Sequence, residues 1–286
     1  MPPWDTAGDS ILIAMEILFV SLLGLALGSF TTAITYRIPR RIPWAFATRS
    51  ARAETAISAY RSVCTHCKNA LAVRDLVPVL SWLFLRGRCR HCRAPIGTSY
   101  LWIEIAVLAL CLAVYAAHGL SVSAGFLIAA VPFLVALLVI DLQFLILPNQ
   151  LIAILAVLGL AYRAFALWQD LPYASHPWIW NLTEYMGGAL AYGGLIWALG
   201  AGMSIILKKD ALGFGDVKFF VLAGLWLGLS QLPVYFMLCG VFGVVFGLLW
   251  RWSGRADAFP FGPALIAAFL TLLLFGGSIF PQIALQ

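Results

Sequence analysis

Of the 286 residues, 63% are hydrophobic and only 10% are charged, with a net charge of +6. That balance excludes an ordinary soluble domain and points to an all-α polytopic membrane protein. Twelve of the 18 Lys and Arg fall between Tyr36 and Tyr100, against two acids, Glu54 and Asp75, so this basic stretch reads as a cytoplasmic topology signal and not as a nucleic-acid surface.

Met1 to Ser10 carries two acids and no Lys or Arg, and residues 11–33 are apolar for long enough to span a bilayer. Positive charge follows this run instead of preceding it, and no small-residue cleavage site ends it before Arg37. The run therefore reads as a retained first helix (residues 1–35) with its N-terminus outside. Glu16, inside the span, is expected to snorkel to the outer headgroups. Gly28 and Ser29 offer small surfaces for close helix packing. Residues 40–62 are basic and without apolar period, as a loop or a surface-lying segment would be.

Cys64-Thr-His-Cys67 and Cys89-Arg-His-Cys92 are two C-x-x-C pairs separated by 21 residues. Two such knuckles bring four thiolates around one Zn²⁺ in a closed, structural site, and a cytoplasmic location disfavours two disulfides instead. His66 and His91 are expected on the solvent side of the turns. Between the knuckles, Asp75-Leu-Val-Pro-Val-Leu-Ser-Trp82 and Leu85-Arg-Gly-Arg88 form a segment too short to span. Residues 36–100 thus read as a small zinc-binding cytoplasmic domain between the first two of about eight membrane helices.

Seven more spans follow, at roughly 101–117, 120–140, 150–168, 185–207, 217–230, 233–250 and 263–280, giving a membrane domain of residues 101–286. The stretch 217–250 reads as two helices broken at Ser230-Gln-Leu-Pro233, because a single helix would carry Arg251 and Arg255 to the outside. This topology puts both termini outside and 17 of the 18 basic residues inside. Arg163, the exception, lies near the outer end of its helix and is expected to snorkel. Cys111, Cys239 and His118 stand alone in or beside apolar runs and read as core. Pro260-Phe261-Gly262-Pro263 is ordinary punctuation at the start of the last helix.

Two carboxylates remain. Asp141 ends the span 120–140 and is followed by Leu147-Pro148-Asn149, while Asp216 closes Gly213-Phe214-Gly215-Asp216 just before an apolar run. An acid at a hydrocarbon boundary is costly, and function is the usual reason to retain it. The topology puts both on the cytoplasmic side. The flanking glycines are expected to allow positive φ and close backbone approach. There is no nucleophilic-serine motif and no His-Glu zinc motif nearby, so the pair suggests hydrolysis by water. Two like charges a few ångströms apart cannot both ionise cheaply and would share a proton. The ionised member would take a proton from water while its partner donates to the scissile carbonyl. Lys218, one turn on, could hold one carboxylate, contact substrate or snorkel. Other classes remain: a proton-coupled transporter, or a membrane methyltransferase or zinc module whose aspartates are structural.

Taken together, the ordered set resembles the bacterial type IV prepilin peptidases. The marks are Gly28-Ser29-Phe30 with Tyr36-Arg37-Ile38-Pro39, the cysteine pairs enclosing Asp75 to Trp82, Asp141 with Leu147-Pro148-Asn149, Gly213 to Lys218, and Pro260 to Pro263. They run from about residue 28 to residue 264. The resemblance implies an inner-membrane aspartyl peptidase whose catalytic residues are Asp141 and Asp216. Active-site support would come from Gly213, Gly215, Lys218, Pro148, Asn149, Phe261, Gly262 and Pro263. It implies as substrate a prepilin or pseudopilin with a short basic leader, and a second activity, methylation of the new N-terminal amine by S-adenosylmethionine. Methylation rests on the resemblance alone, since no glycine-rich nucleotide loop follows a strand. Thr32 stands where the family usually has asparagine, and Gly97, Ser99 and Leu101 stand where it has serine, arginine and proline; Glu104 is retained. At least one of Asp75, Glu104, Asp210 and Asp257 is expected near the leader, to offset the basic loop.

Overall fold

The computed structural model describes residues 5–42, 62–170, 178–208, 212–254 and 259–279. In chain order the helices are α1 (Asp5–Arg37), a short α2 (Leu80–Phe84), α3 (Thr98–His118), α4 (Val122–Phe144), α5 (Asn149–Asp170), α6 (Trp178–Leu207), α7 (Phe214–Leu227), α8 (Leu232–Trp252) and α9 (Gly262–Ile279). A helix stands at each of the eight spans expected from sequence. Six contain stretches long and apolar enough to cross a membrane, whereas α7 has 14 residues and the apolar stretch of α9 runs only from Gly262 to Gly276. Among the described residues the remaining order is one 3₁₀ turn, Val73–Asp75, and two isolated β-bridges.

The chain forms two compact units, Met1–Ala124 and Gly125–Gln286. In the first, α1 packs along α3. Gly28 permits this, because a Cβ there would come within 2.9 Å of the Glu104 Cα, which agrees with the packing role expected of this small residue. Glu16 does not depend on headgroups alone: the Tyr115 hydroxyl of α3 donates to its Oε2 at 2.8 Å. A membrane acid with a protein donor is cheaper than one without.

In the second unit an aromatic core fixes α7. Trp226, Phe219 and Phe220 of α7 are buried, as are Tyr192 of α6, Tyr235 of α8 and Phe269 of α9. Phe219 meets Phe269 edge-on at 5.8 Å, Phe220 meets Tyr235 at 5.4 Å, and Trp226 stacks on Tyr162 of α5 at 5.6 Å. Offset and edge-to-face ring pairs of this kind add about 0.5–1.5 kcal/mol each beyond the area they bury. The buried Trp226 Nε1 donates to the Leu155 carbonyl at 3.0 Å, so its polar atom is satisfied. A short helix is thereby held by neighbours on several sides.

The break between α7 and α8 falls where the charge argument put it. Gly228 turns with φ +83°, and Glu184 of α6 fixes the turn by accepting from the Ser230 N–H at 2.7 Å. Arg163 has partners that the sequence did not reveal. Its guanidinium lies 3.7 Å from the centroid of the Tyr185 ring and 4.9 Å from that of Tyr162. Two aromatic faces within the protein therefore receive this charge.

Candidate active site and metal centre

Asp141 and Asp216 come together within the second unit, close enough for the charge on one to act on the other. Their backbones differ from the boundary positions read from sequence. α4 continues through Asp141 to Phe144 and ends with Leu145 in the left-handed region at φ +55°. The Asp141 side chain, 5% exposed, therefore lies inside the last turn of a helix. α7 begins at Phe214, with Gly213 as its N-cap, so Asp216 occupies the first helical turn and is half-buried.

Gly262 is the first residue of α9, and its N–H donates to Asp141 Oδ2 at 2.9 Å. The first N–H groups of a helix have no intrahelical acceptor, and a carboxylate is their natural partner. A Cβ on Gly262 would stand 2.6 Å from that same oxygen, so only glycine permits the contact. Pro260, Gly262 and Pro263 are buried beside it, and the Phe261 carbonyl accepts from the Ala264 N–H at 3.1 Å, which starts the helix. The sequence punctuation at 260–263 is thus also the segment that orients Asp141.

The glycines of the Gly213–Asp216 turn are not used for positive φ. Gly213 is extended at φ −69°, and Gly215 is not in the left-handed region. What they supply is space. A Cβ on Gly213 would approach Asp216 Oδ2 to 3.2 Å, and one on Gly215 would approach the Leu147 Cβ to 3.2 Å.

Leu147 belongs to the segment that follows Asp141, and the next two residues complete the tie. The Pro148 carbonyl accepts from the Leu151 N–H at 3.1 Å as α5 opens. Lys218 Nζ donates to Asn149 Oδ1 at 2.7 Å and lies 4.6 Å from the Phe214 ring centroid. Lys218 thus joins the α5 and α7 segments that adjoin the two aspartates, an arrangement not among the roles read from sequence. Nothing in the residue spacing signals a partner 69 positions away.

The four knuckle cysteines form one cluster in the first unit. Their sulfurs all lie within 4.8 Å of one another, and Cys64 Sγ is 3.9 Å from Cys92 Sγ. Neither His66 nor His91 joins them. A tetrahedral Zn²⁺ with Zn–S bonds near 2.3 Å requires sulfurs about 3.8 Å apart, so the cluster fits a metal of this kind. The two knuckles repeat one hairpin. Cys64 N–H bonds the Asn69 carbonyl and Cys89 N–H the Ala94 carbonyl, both at 2.9 Å; Lys68 and Arg93 turn at φ +60° and +55°. Burial opposes ionisation of Cys64, but the Cys67 and His66 N–H groups, with neighbouring thiols, bring its pKa down to about 6. At Cys92 the Ala94 N–H favours the thiolate, yet burial and the other three thiols push the pKa up to about 11. A bound cation would favour the thiolate form of all four.

Asp75 is held by Arg90, whose Nε donates to Oδ1 at 2.6 Å, and by the Ala72 N–H at 3.2 Å. Burial works against its charge, but these donors keep its carboxyl below the usual range. Glu104 Oε2 accepts the Val79 N–H at 2.7 Å. Asp210 and Asp257 lie outside the described residues.

These features define a multi-pass helical membrane protein with two aspartates within electrostatic reach of each other in one unit and a four-thiol cluster that could hold a metal in the other. The type IV leader peptidase family matches residues 128–248, which include both aspartates, and the bacterial peptidase A24 N-terminal domain matches residues 22–118, which include all four cysteines. Relatives extend over almost the whole chain. A prepilin leader peptidase/N-methyltransferase of Burkholderia pseudomallei is 34% identical, covering 92% of this chain and 86% of its own length. Its namesakes from Aeromonas hydrophila and Stutzerimonas stutzeri are 32% and 31% identical, each covering more than nine-tenths of both chains. No solved structure matches. The chain belongs to the bacterial type IV leader peptidase family.

Proposed function

We propose that this protein is an inner-membrane aspartyl endopeptidase that removes the short basic leader from type IV prepilin or pseudopilin precursors, and that it also N-methylates the new terminus. The observation that carries the peptidase reading is the meeting of Asp141 and Asp216, with the Gly262 N–H fixing the orientation of one of them. One carboxylate removes a proton from a water as it attacks the scissile carbonyl, and the protonated partner donates to the carbonyl oxygen. Collapse of the tetrahedral adduct breaks the C–N bond, and a proton returned through the dyad leaves with the amine. Lys218, Asn149, Pro148, Gly213 and Gly215 hold the two acid-bearing segments in register, while Phe261 and Pro263 open the helix that carries Gly262. The methylation reading is supported by the relatives' printed activity and by the match to the N-terminal domain.

Cys64, Cys67, Cys89 and Cys92 hold one structural Zn²⁺ in a cytoplasmic domain of residues 36–100, between the first helix and the membrane domain 101–286. The charge distribution supports an orientation with both termini outside and the aspartates at the cytoplasmic face. The reading is tested by reconstituting the purified chain in liposomes with a prepilin and identifying the new N-terminus by mass spectrometry. Removal of the leader at one bond is expected. A correctly inserted, monodisperse protein that leaves several prepilins and pseudopilins intact would overturn the reading.

Gly262→Ala provides a sharper test of the geometry. The added methyl cannot coexist with Asp141 Oδ2 at 2.6 Å, so the carboxylate must move, and displacements near 1 Å cost on the order of 10²-fold in rate. The expected outcome is a kcat for leader removal lowered about a hundredfold, with KM changed little. Progress curves on a peptide carrying leader and apolar segment separate the two constants.

A further inference from the structure

The segment between the knuckles turns apolar side chains outward. Val73 and Phe84 are each 84% exposed, and Leu80 and Leu83 are 50% and 53% exposed. Leu80, Leu83 and Phe84 stand at i, i+3 and i+4 of α2, on one face of the helix. A hollow of about 300 Å³ gathers Val77, Leu80 and Phe84 beside Arg74 and Arg90. The face is apolar in the middle and basic at its edge. Exposed apolar groups assembled in this way mark a surface that something covers.

The level at which this face is held identifies the cover. The Val79 N–H, one residue before α2, donates to Glu104 Oε2 at 2.7 Å. Glu104 lies inside α3, whose 21 residues are long and apolar enough to cross a membrane. From Glu104 to the end of α3 at His118 the helix rises only about 21 Å at roughly 1.5 Å per residue. That falls short of a hydrocarbon core about 30 Å thick, so Glu104 cannot stand clear of the bilayer, and α2 is tied to it. Trp102, on the same turn of α3, is 65% exposed and is of the residue type that concentrates at headgroup level. Charge agrees with this placement. Residues 62–97 carry Lys68, Arg74, Arg86, Arg88, Arg90 and Arg93 against one acid, Asp75, which Arg90 engages.

From these positions we infer that α2 and the turn before it form a lipid-docking surface, whose occupant is the anionic leaflet on the module's own side of the membrane. Leu80, Leu83 and Phe84 enter the acyl boundary, as the apolar face of an interfacial helix does. Arg74 and Arg86 lay their stems along lipid and bring their guanidinium groups to the phosphates. Arg90 borders the same surface with its Nε on Asp75 Oδ1. Lipid thereby anchors the module in addition to its covalent links to α1 and α3, whichever activity the chain performs.

The test uses the full-length, zinc-loaded protein in nanodiscs of equal parts phosphatidylglycerol and phosphatidylcholine, with a trace of either lipid carrying a diazirine in its acyl chain. After illumination, mass spectrometry locates the label. Residues 75–86 are expected to be labelled, as is the stretch containing Trp102, which serves as internal standard. Leu83→Asp with Phe84→Asp is expected to lower the label on 75–86 about tenfold and to leave that at Trp102 unchanged, since carboxylates resist the acyl region. Both replaced side chains are exposed, and zinc content and size-exclusion profile check the fold. The phosphatidylglycerol tracer is expected to label 75–86 at least about threefold more than the phosphatidylcholine tracer, and Arg74→Ser with Arg86→Ser to remove that preference. Equal labelling of wild type by the two tracers would overturn the part assigned to the arginines. Label at Trp102 with none on 75–86, or a double aspartate variant labelled like wild type, would overturn the docking surface itself: water or the second unit would then meet this face.

Discussion

Asp141→Asn and Asp216→Asn are each expected to lower leader removal about 10³-fold or more, and the double variant is expected to be no slower than either single one. The substitutions are nearly isosteric, and an asparagine oxygen at 141 still accepts the Gly262 N–H that orients Asp141 at 2.9 Å. Shape and packing therefore persist while the capacity to exchange a proton is lost. Two acids sharing one proton act as a unit, so removing the second after the first removes nothing further. A pair of independent structural acids would give the opposite pattern, with small and additive losses. The measurement is the initial rate of prepilin cleavage in membranes, normalised to the amount of inserted protein. Near wild-type cleavage by either variant would exclude that residue from catalysis and reopen the transporter reading.

Sequence exposed the elements of this site better than its contacts. The spans were legible because about twenty consecutive apolar residues have few other uses, and the break at Ser230–Pro233 because charge on the far side made one long helix incompatible with the topology. The cysteine cluster was legible from C-x-x-C spacing, since the knuckle hairpin is a local structure. Helix ends were less legible. Gly213 caps α7 in an extended conformation, so the helix starts at Phe214 and encloses Asp216, while α4 runs past Asp141 to Phe144. Glycine alone does not reveal whether it serves φ or space, and at Gly213, Gly215 and Gly262 it serves space. Side-chain partners remote in sequence were not legible. Lys218 with Asn149, Glu104 with Val79 and Arg163 with Tyr185 each join segments whose proximity only tertiary packing decides. Arg163 shows the limit most plainly: its position predicts a need for a partner, but not that the faces of Tyr162 and Tyr185 lie against it.

Replacing Cys64 and Cys89 together by serine is expected to reduce bound zinc from one ion per chain to none and to melt the knuckle module while the aspartate site survives. Both cysteines are buried, one in each hairpin, and the sulfurs they contribute are half of a cluster spanning no more than 4.8 Å. Around them there is little apolar core. Val73, Leu76, Val77, Leu80, Leu83 and Phe84 are exposed, and α2 has five residues. A segment this poor in buried surface cannot offset the entropy of ordering its chain. A structural Zn²⁺ supplies an apparent 10–16 kcal/mol in small modules, roughly the whole of their folding free energy. Limited proteolysis should accordingly cut between residues 62 and 97 in the variant and spare this stretch in the zinc-loaded protein. Methylation, the second activity proposed for this chain, is expected to fall with the metal, because the module that melts lies within the matched N-terminal domain. Asp141, Asp216, Gly262 and Lys218 belong to the second unit, and leader removal is expected to stay within about tenfold of wild type, as additivity between sites without shared partners requires. Metal analysis, proteolysis and the two activities measured on one preparation decide the matter: equal loss of both activities would show that the zinc module supports the aspartates after all.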